Sequence, residues 1–111
     1  MSFPKTSIKS AEFRERSYTA YIVEFENAVF GFFFEKDKVK IGTIAIATPK
    51  TGLTPSTSTI VFGHKNMNLA RLLAEYLSSK FNKIAFSSVF IYNGDDVHIS
   101  KVLLELIRGL E

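Results

Sequence analysis

At 111 residues the chain has the length of one domain, enough to bury a core without covalent staples. It contains no cysteine, which excludes a disulfide framework, a thiolate zinc site and a thiol nucleophile. The net charge of +3 is spread over interleaved signs, as in Glu12-Phe13-Arg14-Glu15-Arg16, and lacks the single-signed stripe expected of a nucleic-acid binder.

Residues 1–16 are polar with scattered apolar side chains, Phe3, Ile8 and Phe13, and read as a tail or a short edge strand. Met1 to Lys5 has no apolar stretch of the signal-peptide kind. The longest apolar run, Ala28 to Phe34, is too short to cross a bilayer. The cytoplasm is the compartment these features imply.

From Thr19 to Phe25 the pattern alternates, with Thr19, Tyr21, Val23 and Phe25 on one side and Ala20, Ile22 and Glu24 on the other. Glu26-Asn27 offers a turn into a second strand ending in Phe32-Phe33-Phe34. Glu35 to Lys38 is a second polar turn, and Val39 to Thr48 reads as a long β-branched strand. Three strands joined by short turns predict an antiparallel meander. The segment Pro49 to Pro55 breaks the pattern, because prolines cannot join a ladder interior. Ser56 to Phe62 resumes as a strand that Gly63 ends.

The first helix is carried by Leu69, Leu72, Leu73, Tyr76 and Leu77, one stripe at helical spacing, with Asn66 or Asn68 as N-cap. Ile84 to Tyr92 forms the last strand. Asp95 or Asp96 then caps a second helix with the stripe Ile99, Val102, Leu103, Leu106 and Ile107, and Gly109 follows it. The chain thus reads as a single α+β domain over residues 1–111. The expected fold is an antiparallel five- to six-stranded sheet with two amphipathic helices on one face, in the order β-β-β-β-α-β-α.

Two helices cover one face of a sheet. The chain carries 11 Phe and 4 Tyr, and its strands place bulk at both parities. Phe32, Phe33, Phe34, Ile44, Ile46, Phe86 and Phe90 are therefore the candidates for a helix-free face that pairs with another protein. Chemistry is not indicated. Asp95-Asp96-Val97-His98 has the composition of a ligand cluster, but it stands where a helix cap with acidic first-turn residues belongs. His64 lies alone in a turn. The Ser/Thr runs lack a nucleophile elbow, and Thr51-Gly52 lacks the phosphate-loop pattern. Glu24 and Glu26 share a strand parity and read as solvated guards of an edge. No catalytic residue, metal or cofactor is expected.

Three segments carry a resemblance. They are Lys40-Ile41-Gly42-Thr43-Ile44, then Thr57-Ser58-Thr59-Ile60-Val61-Phe62-Gly63 before a capped Leu/Ala helix, and finally a strand, an acidic turn and Val102-Leu103-Leu104-Glu105-Leu106-Ile107. Over Thr19 to Leu110 this order resembles the small proteasome-assembly chaperones, the third and fourth members of the eukaryotic set, and their archaeal relatives. The resemblance implies a non-enzymatic chaperone, dimeric through its sheet as a homodimer or a heterodimer with a paralogue. It would bind α-type subunits of the 20S proteasome or another assembly chaperone, and neither nucleic acid nor membrane. It also implies a partner-binding loop, which falls here on Lys50, Thr51, Gly52, Leu53 and Thr54. Leu53 would be an apolar anchor, with Lys50 as a nearby charge. The alternative is an interaction module of the longin, roadblock or profilin kind, which shares mixed strands and two helices but usually carries a helix earlier in the chain.

Overall fold

The structure is a computed structural model that describes residues 2–35, 37–51, 53, 55–92 and 96–109. Its elements run β1 (Lys5–Phe13), β2 (Arg16–Glu24), β3 (Ala28–Glu35), β4 (Thr43–Thr48), β5 (Thr57–Phe62), α1 (Met67–Phe81), β6 (Ile84–Phe90) and α2 (Asp96–Arg108). They form one six-stranded sheet in the order β1-β2-β3-β6-β4-β5. The fold is α+β and mostly antiparallel, with both helices packed on the same face.

Residues 5–13 are a full strand, so the element order gains a β at its start. The strand pairs with β2 through a two-residue turn in which Arg14 and Glu15 take φ of 54° and 65°. Such hairpin turns favour Asn-Gly, because positive φ crowds a β-carbon. Arg and Glu at those positions leave no mark of the turn in the sequence.

The expected meander does not continue past β3. Strand β6 lies between β3 and β4, parallel to β3 and antiparallel to β4. The chain leaves β5, crosses the sheet through α1 and returns to its centre. Central positions suit strands with apolar residues at both parities. β6 has them, with Ala85 and Val89 toward the helices and Phe86 and Phe90 away. β4 also starts later than the sequence implies. Val39, Lys40 and Ile41 stay outside the ladder and exposed. The Gly42 amide donates to Ser88 Oγ at 2.9 Å, and a β-carbon on Gly42 would fall 1.9 Å from the Val89 carbonyl oxygen.

The core lies between the sheet and the helices. α1 packs over β4 and β6, and α2 over β1 and β2. Beneath α1 the sheet presents small residues, Gly31, Ala45, Ala47, Ala85 and Ser87. They admit the helix closely: a β-carbon on Gly31 would sit 2.5 Å from Leu77 Cδ1, and Ser87 Oγ donates to the Ala70 carbonyl at 2.6 Å.

The buried face of α1 is Leu69, Ala70, Leu73, Ala74, Leu77 and Ser78. It is rotated from the expected stripe, so Leu72 is 41% exposed and Ala70 and Ala74 point inward. The rotation follows from the floor, where alanines allow an approach that two more leucines would block. Asn66 occupies the N-cap in a left-handed conformation without capping through its side chain; its Nδ2 donates to the Ile91 carbonyl at 3.0 Å instead. Asn82 closes the helix, also left-handed, its amide donating to the Ser78 carbonyl. In α2, Ile99, Leu103, Leu106 and Ile107 are buried, each contributing about 1.5–3 kcal/mol.

Two substitutions in neighbouring positions read out the helix phase. Leu73→Ala is expected to cost about 2–5 kcal/mol of stability, and Leu72→Ala about 1 kcal/mol or less. Gly42→Ala is expected to destabilise by about 1–3 kcal/mol, because the obstructing atom belongs to the backbone. Urea denaturation of the three variants checks all of this.

Candidate interaction surface

Register fixes which side chains lie on the face away from the helices. Tyr21 pairs with Phe32, Thr19 with Phe34, Phe30 with Phe86, Phe34 with Phe90, and Ile46 with Phe86. Side chains opposite one another in a ladder share a face. The helix-free face is thus paved by Tyr21, Phe30, Phe32, Phe34, Phe86 and Phe90, with Ile44, Ile46 and Phe62 toward the β5 edge. The aromatic rings contact one another across strands. Phe30 stacks on Phe86 with centroids 4.5 Å apart and planes 5° from parallel. Tyr21 and Phe32 are tilted at 6.2 Å, and Phe25 meets Phe30 edge-on at 5.7 Å.

The connection from β3 to β4 runs beside this face. Val39 is 74% and Ile41 60% exposed, and they border two apolar depressions. One, of about 230 Å³, lies among Tyr21, Phe32, Phe34 and Val39. The other, of about 310 Å³, lies among Phe30, Ile41, Ile44 and Phe86. A contiguous apolar face of this kind is a candidate site of association.

Of the residues singled out in the sequence, Phe32, Phe34, Ile44, Ile46, Phe86 and Phe90 fall together on this face. Phe33 does not. It lies on the helix side, fully buried between the sheet and the helices, because adjacent strand residues point to opposite faces. Tyr21, Phe30 and Phe62 belong to the face and were not singled out. Strand parity was the available signal for the first two, since each shares the phase of Phe32 across or along the ladder.

The loop between β4 and β5 leaves the sheet beside the β5 edge. Lys50 and Thr51 are exposed, and Leu53 is fully exposed. Gly52 and Thr54 lie outside the described residues. His64 is exposed in the bend after β5. His98 stacks on Phe13 at 5.8 Å, which ties α2 to β1. Asp95 lies outside the described residues, and among those described no group of three or more His, Asp or Glu is placed to hold a metal ion. Glu24 is not a free edge guard, since it pairs with Lys83 at 2.6 Å. Among the described residues no helix is long and apolar enough to cross a membrane.

At the β1–β2 hairpin end a polar hollow of about 380 Å³ is lined by Glu12, Glu15, Arg16, Glu35, Asp37 and Lys38, among others. Arg16 donates through one nitrogen to both Glu35 oxygens, at 3.1 and 3.2 Å. Tyr18 lies opposite Glu35 in the ladder. Burial pushes its hydroxyl above the ordinary value of 10.0, the Glu35 carboxylate pushes it further, and Arg16 opposes them.

With this geometry in hand, comparison with solved structures gives a match over nearly the whole length. A chain in the crystal structure of a chaperone complex for yeast 20S proteasome assembly superimposes with a TM-score of 0.70, covering 94% of each chain at 15% sequence identity. The chain shares its fold with that protein. At this identity the likeness is one of architecture, and it agrees with the resemblance carried by the three sequence segments. No protein-family model matches the chain, and no curated protein matches it.

The Tyr18 environment generates a test. The fold favours the neutral phenol, so its stabilisation is complete below pH 10 and is lost as the pH rises through the elevated folded-state value. Thermal denaturation between about pH 9 and 11.5 is expected to show a shallower alkaline loss of stability in Tyr18→Phe than in the wild type.

Proposed function

We propose that this chain is a non-enzymatic assembly chaperone that binds α-type subunits of the 20S proteasome in the cytoplasm, acting as a dimer paired through its helix-free sheet face. The observation that carries the reading is the joint one of shared architecture and an aromatic sheet face opposite the helices. A sheet whose second face is apolar needs a cover, and a second sheet packed at about 10 Å supplies one. The occupant is a second copy or a paralogue of the same fold. The loop through Lys50, Thr51, Gly52, Leu53 and Thr54 is the proposed client contact. The connection joins two strands of a rigid sheet, and the side chain of Leu53 is fully exposed and free to meet a partner.

Two experiments test this. Phe86→Lys sets a charge in the centre of the aromatic face, where burial without a partner is costly. It is expected to lower the mass measured by light scattering at micromolar concentration while leaving the far-ultraviolet circular dichroism unchanged. For the client, the chain is mixed with individual recombinant α-type subunits from the same source, with and without any paralogue. Binding to at least one is expected, and Lys50→Ala with Leu53→Ala is expected to weaken it about tenfold or more. Absence of binding to every α-type subunit would overturn the reading.

A further inference from the structure

The two edges of the sheet are built differently. The β1 edge carries Lys5, Lys9 and Glu12, and charges along an outer strand discourage another strand from adding to it. The β5 edge, Thr57-Ser58-Thr59-Ile60-Val61-Phe62, has no charge and no proline. Thr57 and Thr59 are exposed, and Val61 and Phe62 are 56% and 68% exposed. β5 pairs on its inner side with β4 alone and ends the sheet. We propose that the β5 edge is a pairing site for a second copy of this chain, the two β5 strands running antiparallel about a two-fold axis near Ser58 and joining two sheets into one.

The charges beside the edge identify the occupant. On the helix side Arg71 Nε donates to Ser58 Oγ at 3.1 Å, and Ser58 Oγ donates to Glu75 Oε2. Arg71 and Glu75 are one turn apart on α1 and both bond to Ser58. A two-fold axis near Ser58 reverses that order in the second copy, so Arg71 of one faces Glu75 of the other. The surface is therefore its own electrostatic complement, which is the requirement of an isologous interface.

The spacing fits. α1 lies over β4 and β6. About four strand separations of about 4.8 Å place the two α1 axes about 19 Å apart. A helix with its side chains is about 10–12 Å across, so the gap is crossed by long side chains such as Arg and Glu and not by direct helix packing. On the other face the same axis sets Thr57 opposite Thr59 of the second copy. That repeats the threonine pairing already made between Thr48 and Thr57, whose hydroxyls are 2.9 Å apart. The register shift near Ile44 and Ala45 skips Val61 in the ladder and limits the pairing to the start of the strand.

This pairing is separate from association through the aromatic face, and the experiment keeps the two apart. Amide hydrogen exchange at residues 57–60 is measured on the full chain between about 1 and 300 μM, together with its mass by sedimentation equilibrium. The wild type and Phe86→Lys are both expected to gain protection at 57–60 as concentration rises. Thr57→Lys with Thr59→Lys sets lysine opposite lysine at both threonine pairs and is expected to abolish the gain; both positions are exposed, so the fold survives. Arg71→Glu faces like with like and is expected to weaken the pairing about tenfold, and adding Glu75→Arg is expected to restore it. Exchange at 57–60 that does not change with concentration in the wild type would overturn the proposal. So would a charge swap that fails to restore what Arg71→Glu removes.

Discussion

The close seating of α1 on a floor of small side chains is the contact on which the rest of the structure depends. Gly31, Ala45, Ala47, Ala85 and Ser87 leave no bulk under the helix, and Ala70, Leu73, Ala74 and Leu77 fill the space above them. The floor exists only because β6 runs between β3 and β4, and α1 is the segment that carries the chain from β5 to that position. Crossover helix and inserted strand therefore stabilise each other. A longer side chain at Gly31 would meet Leu77 and lift the helix from both.

The same strands that are small beneath α1 are large on the opposite face. Gly31 lies between Phe30 and Phe32, Ala45 between Ile44 and Ile46, and Phe86 between Ala85 and Ser87. An antiparallel sheet with one wet face usually does the reverse, with bulk toward its core and polar residues outward. Here the central strands set much of their apolar volume away from α1, though Phe33, Val29 and Val89 face the core, and the contacts among Phe30, Phe86, Tyr21 and Phe32 begin to bury that outer volume within the chain. The core supplied by the helices is thus only half of the apolar architecture, and the other half lies on the face that the helices leave open.

Away from the centre the packing follows more ordinary rules. α2 covers β1 and β2, where Tyr18, Ala20 and Ile22 are buried. The N-terminal strand is held by its ladder to β2, by the Ser10–Thr19 hydroxyl pair at 2.8 Å and by the stacking of Phe13 on His98. Lys83 ties the end of α1 to the β2–β3 turn through Glu24 and the Phe25 carbonyl. Ion pairs on this scale hold the ends of elements in place and add little to total stability.

The sequence by itself determined the α+β class, the positions of β2, β3, β5, β6 and both helices, and the existence of an apolar face without a cover. Those features are local: period-2 and period-3.6 patterns, turn residues and strand parity are written in neighbouring positions. It also pointed to six of the residues that pave that face, and it included Phe33, which strand alternation sets on the opposite side from Phe32 and Phe34. The tertiary structure alone decided the rest. The β1 hairpin turns on Arg14 and Glu15, residues without turn character. The inward rotation of α1 toward Ala70 and Ala74 answers the floor beneath it and not the helix's own hydrophobicity. The place of β6 between β3 and β4 is a pairing across more than fifty residues for β3, from Ala28 to Ile84, and no local pattern encodes a partner at that distance. Strand order is settled by which surfaces fit when the helix is laid down, and that fit exists only in the assembled fold.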